Sequence, residues 1–290
     1  MMGYQITTDS TSDLPKQFYI ERGIKFIGLI FQIDGKEYRE DLNLTLTTKE
    51  FYDMLRKGKH STTTQINTYD FIEFAEPILA SGEDILHIAF SSSLSGTYES
   101  CKRGAEELKD KYPERKIIVV DSLCASLGEG LLAYYADENR KKGMSIEENA
   151  EWLENHKLNI CHWFTVDDLN HLYRGGRLSK TSAIFGTLLG IKPVLHMDDS
   201  GRLKPVEKAR GRAASIDALV KKVVETANED IKSQQVFISH ADCMDDAKKL
   251  ADKLRREVGI QNILISGIGA VIGSHSGPGT LAVFFMGKKR

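Results

Sequence analysis

Short runs of β-branched and aromatic residues alternate with amphipathic helical stretches through the first half of the chain. The predicted strands are YQITTD, FIGLIFQID, DILHIAF and KIIVVD, and the predicted helices cover 48–57, 69–81, 96–110 and 127–142. Strands separated by helices of this length are typical of βαβ units. The pattern therefore predicts a parallel sheet inside a three-layer α/β/α domain.

A different pattern follows a charged helix that ends near Asn159. Strands are predicted at CHWFTV, QVFISHA, NILISGI and LAVFFM, and a hairpin over 191–209 turns at 198–201. Helices are predicted at 167–173, 179–189, 212–231 and 245–258, and a glycine-rich turn precedes the last strand. Because a hairpin adds antiparallel pairs, this half is expected to form a mixed sheet. The expected fold class is α/β with two domains, 1–158 and 159–290.

Composition supports a folded protein and gives no sign of a charge-driven partner. The net charge is only -2, which leaves no electrostatic footprint for nucleic acid or an anionic membrane, and the basic GKKR ending is interpreted as a solvated tail. Four cysteines lie far apart, which argues against a zinc site or a disulfide scaffold. No signal peptide is indicated, and the most apolar run, AIFGTLLGI, is shorter than the roughly 20 residues of a membrane span. We therefore expect a cytoplasmic protein without stable membrane insertion.

Motifs for common cofactor chemistry are missing from the sequence. It contains no G-x-x-x-x-G-K-[ST] and no G-x-G-x-x-G opening a helix after a strand, so nucleotide binding has no support. The eight histidines lack metal-ligand spacing, and no metal or cofactor is predicted. A serine hydrolase of the α/β type needs G-x-S-x-G, but the closest string, GSHSG at 273–277, has a histidine in the middle.

Three predicted strands of the first half end in small polar residues: TTDSTSD, SSSLSGT and VDSLCAS. In an open α/β sheet the carboxyl ends of the strands border the ligand crevice, and helix N-termini there offer N–H groups to an anion. The three turns together therefore predict an anion site. The alternative is that these residues only cap the helices that follow.

Further candidates lie in the second half. His275 lies between small residues and glycines, where its imidazole either binds a ligand or stiffens the turn. Arg177 in YRGGRLSK and Arg210 in EKARGR would add positive potential beside an anion if they border the crevice, and are otherwise solvated. The stretch TSAIFGTLLGI is interpreted as a buried helix or as the wall of an elongated apolar pocket.

Several strings, taken together and in order, resemble the DegV family. They are spread along the whole chain in the family's order and are TTDSTSDLP at 7–15, TTTQ at 62–65, SSSLSGTY at 91–98, DSLCASLGEG at 121–130, YRGGRLSK at 173–180, LLGIKPVL at 188–195, EKARGR at 207–212 and SHSGPGTLAVFF at 274–285. The resemblance implies two α/β domains that hold a fatty acid. Its acyl tail would lie in a long apolar pocket of the N-terminal domain and its carboxylate near the domain interface. It also implies that, in bacteria with the partner kinase, the protein presents the acid for conversion to an acyl phosphate.

The resemblance also assigns roles to individual residues. The residues expected around the carboxylate are Thr63, Ser92, Ser93, Ser95, Gly96 and His275, with Ser92 and Ser95 favoured among the serines. Arg177 and Arg210 match arginines associated with kinase docking or the transferred phosphate. The sequence departs from the family pattern at Ile66, where proline commonly follows the glutamine, and in FIGLIF, which lacks a proline often present there.

Physical estimates agree with a bound fatty acid. Burial of about a dozen methylenes at roughly 0.8 kcal/mol each contributes on the order of 10 kcal/mol, which exceeds typical association costs. Hydroxyl donors from Thr63 and the serine turn, with a donor from His275, would satisfy the carboxylate without an opposing charge. The prediction is a binding protein without its own catalysis. Two alternatives remain: an acyl hydrolase that uses a serine of 91–95 with His275 and Asp9, and a carrier of another amphipathic lipid.

Overall fold

The computed structural model describes residues 3–179 and 190–290. Its strands are β1 (Tyr4–Asp9), β2 (Lys25–Ile27), β3 (Ile30–Ile33), β4 (Lys36–Arg39), β5 (Ser61–Thr64), β6 (Asp84–Ala89), β7 (Ile117–Asp121), β8 (Ile160–Thr165), β9 (Ile191–Met197), β10 (Leu203–Arg210), β11 (Val236–His240), β12 (Ile263–Gly267) and β13 (Leu281–Met286). Its α-helices are α1 (Lys16–Arg22), α2 (Thr48–Arg56), α3 (Thr68–Ala80), α4 (Thr97–Lys111), α5 (Leu127–Lys141), α6 (Ile146–His156), α7 (Asn170–Arg174), α8 (Gly211–Thr226), α9 (Met244–Lys253) and α10 (Ala270–Ser276). Short 3-10 turns lie at Ser10–Ser12 and Lys157–Asn159, and a π-helical turn at Leu254–Val258 continues α9.

The first half contains the parallel sheet that the sequence predicts, in the order β2-β1-β6-β7. Alternate residues of β6 face opposite helical layers. Leu86 belongs to the core cluster that includes residues of α5 and α6, whereas Ile85 belongs to the cluster that includes residues of α3 and α4. Helices therefore cover both faces, which explains why every residue of β1 is buried.

One part of the first half differs from the prediction, because FIGLIFQID is not one strand. Its start forms β2 of the parallel sheet, and its end forms β3 of a separate antiparallel sheet with the order β4-β3-β5. Asp34 and Gly35 both have positive φ, of 54° and 75°. They form the turn that closes a tight hairpin between β3 and β4, and this hairpin belongs to the separate sheet. Strand β5 has the polar sequence STTT and was missed for that reason.

The second half contains a mixed sheet in the order β10-β9-β8-β13-β11-β12, as predicted. Strands β11 and β12 are parallel, and the other neighbouring pairs are antiparallel. The predicted hairpin is β9 and β10, and Gly201 in its turn has a φ of 72°. The helix predicted at 179–189 lies outside the described residues except at Ser179.

Helix α10 occupies the segment where the sequence suggested only a glycine-rich turn. Gly273 lies within this helix, and its lack of a side chain allows the helix to pack closely, because a Cβ there would collide with the Tyr52 hydroxyl oxygen. Ala270 and Val271 of α10 pack in the same core cluster as Phe31 and Phe51 of the first half. A helix from the end of the chain thus completes a core of the first half, and the proposed boundary at residue 158 stays a prediction.

Candidate functional site

A cavity of about 820 Å³, counting the space at its open mouth, lies where the two halves meet. Its wall is mostly apolar and comes from both halves: Leu29, Phe90, Leu94 and Ala125 from the first, and Phe164, Leu172, Met197, Leu203, Ile268, Val271, Ile272, Ala282 and Phe284 from the second. The cavity is therefore shared between the halves, whereas the sequence placed an acyl pocket in the N-terminal domain.

A group of polar side chains lines the same cavity close together. Thr63 on β5, Ser95 before α4, Arg177 after α7 and His275 near the end of α10 all line it. These four belong to the set that the sequence assigned to the carboxylate or its partner. Gln65 joins them and was missed as a site residue, although it follows Thr63 in the TTTQ string that carried the resemblance.

Thr63 and His275 form the central pair, with 2.8 Å between Thr63 Oγ1 and His275 Nε2. The hydroxyl and the neutral imidazole together carry two hydrogens, and one of them is used within the pair. In either tautomer one donor is left over: the Thr63 O–H, or the N–H at Nδ1, which is buried without a partner in the described chain. The Thr63 O–H is therefore available to a further acceptor when His275 carries its hydrogen on Nε2.

The electrostatics around His275 favour the neutral ring. Burial, helped by the nearby Arg177 cation, lowers the pKa of His275 to about 4. Arg177 is itself partly buried, and it donates from Nε to the Leu94 carbonyl at 3.0 Å and from Nη1 to the Gly175 carbonyl at 2.6 Å. Desolvation lowers the pKa of Arg177 from its ordinary value, but an arginine remains charged at neutral pH. The site thus offers neutral donors beside one fixed cation.

Of the serines in the turn after β6, Ser95 is the one that lines the cavity in the described chain. Its Oγ accepts the Thr97 N–H at 3.2 Å and lies 3.0 Å from Thr97 Oγ1. When Thr97 is the hydroxyl donor of that pair, the Ser95 O–H is available to a ligand.

The other serines of this turn lie elsewhere. Ser91 Oγ donates to the Gly201 carbonyl at 3.0 Å, and Ser93 Oγ donates to the Ser200 carbonyl at 2.5 Å, so both bind the β9–β10 turn of the other half. Ser92 is exposed, and its backbone N–H donates to Asp121 at 3.1 Å. The assignment of Ser92 and Ser93 to the carboxylate stays a prediction, without support from the cavity lining.

Gly96 lies at the start of α4 against the Gln65 side chain. A Cβ at Gly96 would collide with Gln65 Oε1, so a larger residue at this position would displace the Gln65 side chain. Gly96 does not line the cavity, and its direct contact with a carboxylate also stays a prediction.

Comparison with known proteins places the chain in a family. The model of the DegV family, whose members it describes as uncharacterised, matches residues 4–288. A DegV domain-containing protein of Clostridium perfringens is 47% identical over 290 residues, which is 99% of this chain and 98% of the relative. The chain belongs to the DegV family.

Solved structures of DegV proteins share the whole fold. A DegV lipid-binding protein of Thermotoga maritima has a TM-score of 0.89 at 30% identity, with 100% of both chains covered. A fatty-acid-binding DegV protein of Thermus thermophilus has a TM-score of 0.87 at 31% identity, with 98% of this chain and 99% of that one covered. The two-domain α/β fold inferred from the DegV resemblance is confirmed.

A polar cleft adjoins the cavity of this DegV-family chain and shares Thr63, Arg177 and His275 with it. The remaining side chains of the cleft are mostly polar or basic: Lys59, His60, Ser61, Thr62, His171, Arg174 and Ser274. Arg174 lies in the YRGGRLSK string that carried the resemblance. The sequence analysis missed Lys59, His60 and His171, because they come from separate segments that only the fold brings together. The three shared residues thus separate an apolar cavity from a basic cleft.

Arg210 ends β10 on an exposed position and lines neither the cavity nor the cleft. Its proposed contact with a partner or a phosphate stays a prediction.

Metal and membrane criteria give no candidate in the described ranges 3–179 and 190–290. No group of three or more His, Cys, Asp or Glu side chains there could hold a metal ion. Within the same ranges, no helix combines the length and apolar character needed to cross a membrane.

Proposed function

We propose that this DegV-family protein binds a long-chain fatty acid, with the acyl tail in the shared cavity and the carboxylate at Thr63, Ser95 and His275. The observation that carries the proposal is the junction of a mostly apolar cavity with these donors. The lipid-binding and fatty-acid-binding relatives support the same ligand class.

The electrostatics of the site suit a carboxylate. A buried anion needs hydrogen-bond donors, and bonds to a charged group contribute about 1.5–3 kcal/mol each. The Thr63–His275 pair and Ser95 supply neutral donors, and Arg177 adds a positive charge next to His275. A neutral lipid head would gain less from this arrangement, because it lacks the charge that Arg177 attracts.

We further propose that the protein presents the carboxylate to a separate kinase, as the family resemblance implies. The basic cleft supports this step, because it lies on the other side of the same Thr63, Arg177 and His275 that face the cavity. A phosphoryl donor that approached the carboxylate through this cleft would meet Lys59, His60 and Arg174. Positive charge along that path favours a phosphate.

The geometry favours a binding protein over an acyl hydrolase. A hydrolytic triad needs a serine on one nitrogen of the histidine and an orienting acid on the other. In the described chain His275 Nε2 bonds to Thr63, and its Nδ1 has no partner. Asp9 is fully buried and bonds to Thr11 and the Phe90 N–H, so it is engaged elsewhere.

Organic extraction of the purified protein followed by mass spectrometry tests the ligand class. We expect a stoichiometric fatty acid, and a higher melting temperature when fatty acid is added to stripped protein. Recovery of another lipid would show a different carrier function. Absence of any lipid, with no thermal shift, would refute the binding proposal, and steady hydrolysis of p-nitrophenyl esters that His275→Ala abolishes would establish an enzyme instead.

A further inference from the structure

Helix α10 carries His275 but contains no capping side chain of its own for its first turn. Gly269 precedes the helix, and no side chain at that position accepts a bond from it. By contrast, α2 and α6 begin with Thr47 and Ser145, each of which caps its own helix. The first N–H groups of a helix need acceptors when they are buried. For α10 those acceptors must come from elsewhere in the chain.

Two carboxyl groups of the first half supply them. Asp13 Oδ1 accepts the Gly269 N–H at 2.8 Å, and Glu40 Oε2 accepts the Ala270 N–H at 2.7 Å. Both acids are almost fully buried. The partners lie more than two hundred positions apart in sequence, so these bonds join the halves of the chain and do not form a local turn.

Asp13 is itself anchored within its surroundings. The second oxygen of Asp13 accepts the Ser126 hydroxyl at 2.5 Å, and the Asp13 carbonyl accepts the Ser266 hydroxyl at 2.9 Å. A Cβ at Gly269 would lie 3.1 Å from both Asp13 Oδ1 and Glu40 Oε2, so the two acids converge on the start of the helix. The first turn of α10 is therefore held at a defined place on the first half.

His275 lies at the far end of this short helix, where it meets Thr63. A helix rises about 1.5 Å per residue, so His275 is only about 9 Å along the axis from Gly269. Seven residues form less than two full turns, and a shift at one end therefore moves the other. The 2.8 Å bond between His275 and Thr63 tolerates little displacement, because hydrogen bonds weaken steeply with distance and angle.

We propose that Asp13 and Glu40 are positioning residues for the head-group site. By holding the first N–H groups of α10, they set the place at which His275 meets Thr63 and faces the ligand. Neither acid lines the cavity. The effect of Glu40 on a ligand passes through the helix, whereas Asp13 also bonds to Ser126, which lines the cavity. The consequence for carboxylate binding rests on the proposed function, whereas the position of His275 does not.

Histidine-labelled NMR of the ligand-free protein tests the positioning directly. We expect Glu40→Ala to shift or broaden the ring signals of His275, which are assigned by their loss in His275→Gln. Glu129→Ala is the matched control, because Glu129 is a fully buried acid that accepts the Thr8 and Thr11 hydroxyls and does not bond to α10. Unchanged His275 signals in folded Glu40→Ala, or an equal change in Glu129→Ala, would overturn the proposal.

A binding measurement with palmitic acid and its methyl ester extends the test. The ester shares the tail, so the ratio of the two affinities reports on the head-group site. We expect Glu40→Ala to reduce that ratio at least about fivefold, as for the loss of one buried hydrogen bond. An unchanged ratio would overturn the link to the ligand. If the wild type binds neither compound, the proposed function fails, but the NMR result still decides the positioning. The variant Glu40→Met keeps most of the side-chain volume but removes the acceptor of the Ala270 N–H, and it carries both measurements if Glu40→Ala does not fold.

Discussion

Replacement of Thr63 by valine removes the hydroxyl that pairs with His275 and keeps the shape of the side chain. In the wild type this hydroxyl lies 2.8 Å from His275 Nε2 and lines the cavity. A hydrogen bond to a charged group contributes about 1.5–3 kcal/mol, and each 1.4 kcal/mol is a factor of ten in affinity. We therefore expect Thr63→Val to weaken fatty-acid binding by about 10- to 150-fold.

The matched control is Thr64→Val, one position further along β5. Thr64 is exposed and lines neither the cavity nor the cleft, so the same chemical change there should leave affinity within about twofold. Calorimetric titration with palmitic acid and with its methyl ester at pH 7 separates the contribution of the head group from that of the acyl tail, because the ester lacks the charge. The Thr63→Val substitution keeps the wall of the cavity intact. An equal loss for acid and ester, or an equal effect of Thr64→Val, would refute the role given to Thr63.

Three further predictions concern pH and stability. In the folded protein the pKa of His275 is lowered to about 4, so the unfolded chain binds the proton more readily and stability is lost as the pH falls from about 6.5 to 4. Urea titrations should show that His275→Gln loses less unfolding free energy than the wild type across this pH range. An identical loss in the two proteins would contradict the lowered pKa. The folded pKa of Asp13 is raised to about 8 by burial, so its contribution is full below about pH 4 and is lost as the pH rises towards 8; Asp13→Asn should therefore show a smaller fall in stability between pH 5 and 8 than the wild type. Arg290 donates to the carbonyls of Leu123 and Lys157, both at 2.8 Å. Arg290→Ala should therefore lower the melting temperature by at least about 3 °C, whereas Lys289→Ala should not.

The predicted helices and parallel strands agree closely with the structure because their signals are local. The helix expected at 127–142 is α5, Leu127–Lys141, and the strand KIIVVD contains β7, Ile117–Asp121. Hydrophobic periodicity and strand length are enough to locate such elements. Strand β5 carries no such signal, because it is four polar residues whose partner is β3. The only local cue to this small sheet is the turn at Asp34 and Gly35, which indicates the β3–β4 hairpin but not the third strand that joins it.

The serine turn shows that a sequence pattern does not indicate which side chains of a turn face the cavity. Its abundance of hydroxyls suggested an anion, and Ser95 does line the cavity. Ser91 and Ser93 instead donate to carbonyls of the β9–β10 turn, more than a hundred residues away. The basic ending was interpreted as a solvated tail, yet the Arg290 side chain reaches between segments of both halves. The two cases share one feature: a side chain that joins distant segments looks, in sequence, like one that faces water or a ligand.

Helix α10 explains why the sequence predicts the architecture better than it predicts the site. Along the chain this helix belongs to the second half, between β12 and β13, but Ala270 and Val271 pack in a core of the first half. Its start is held by Asp13 and Glu40, and its end brings His275 to Thr63. The head-group pair therefore exists only when both halves are folded against each other. A site of this kind is encoded by tertiary contacts, so motifs could name its residues, but only the structure could show which of them meet.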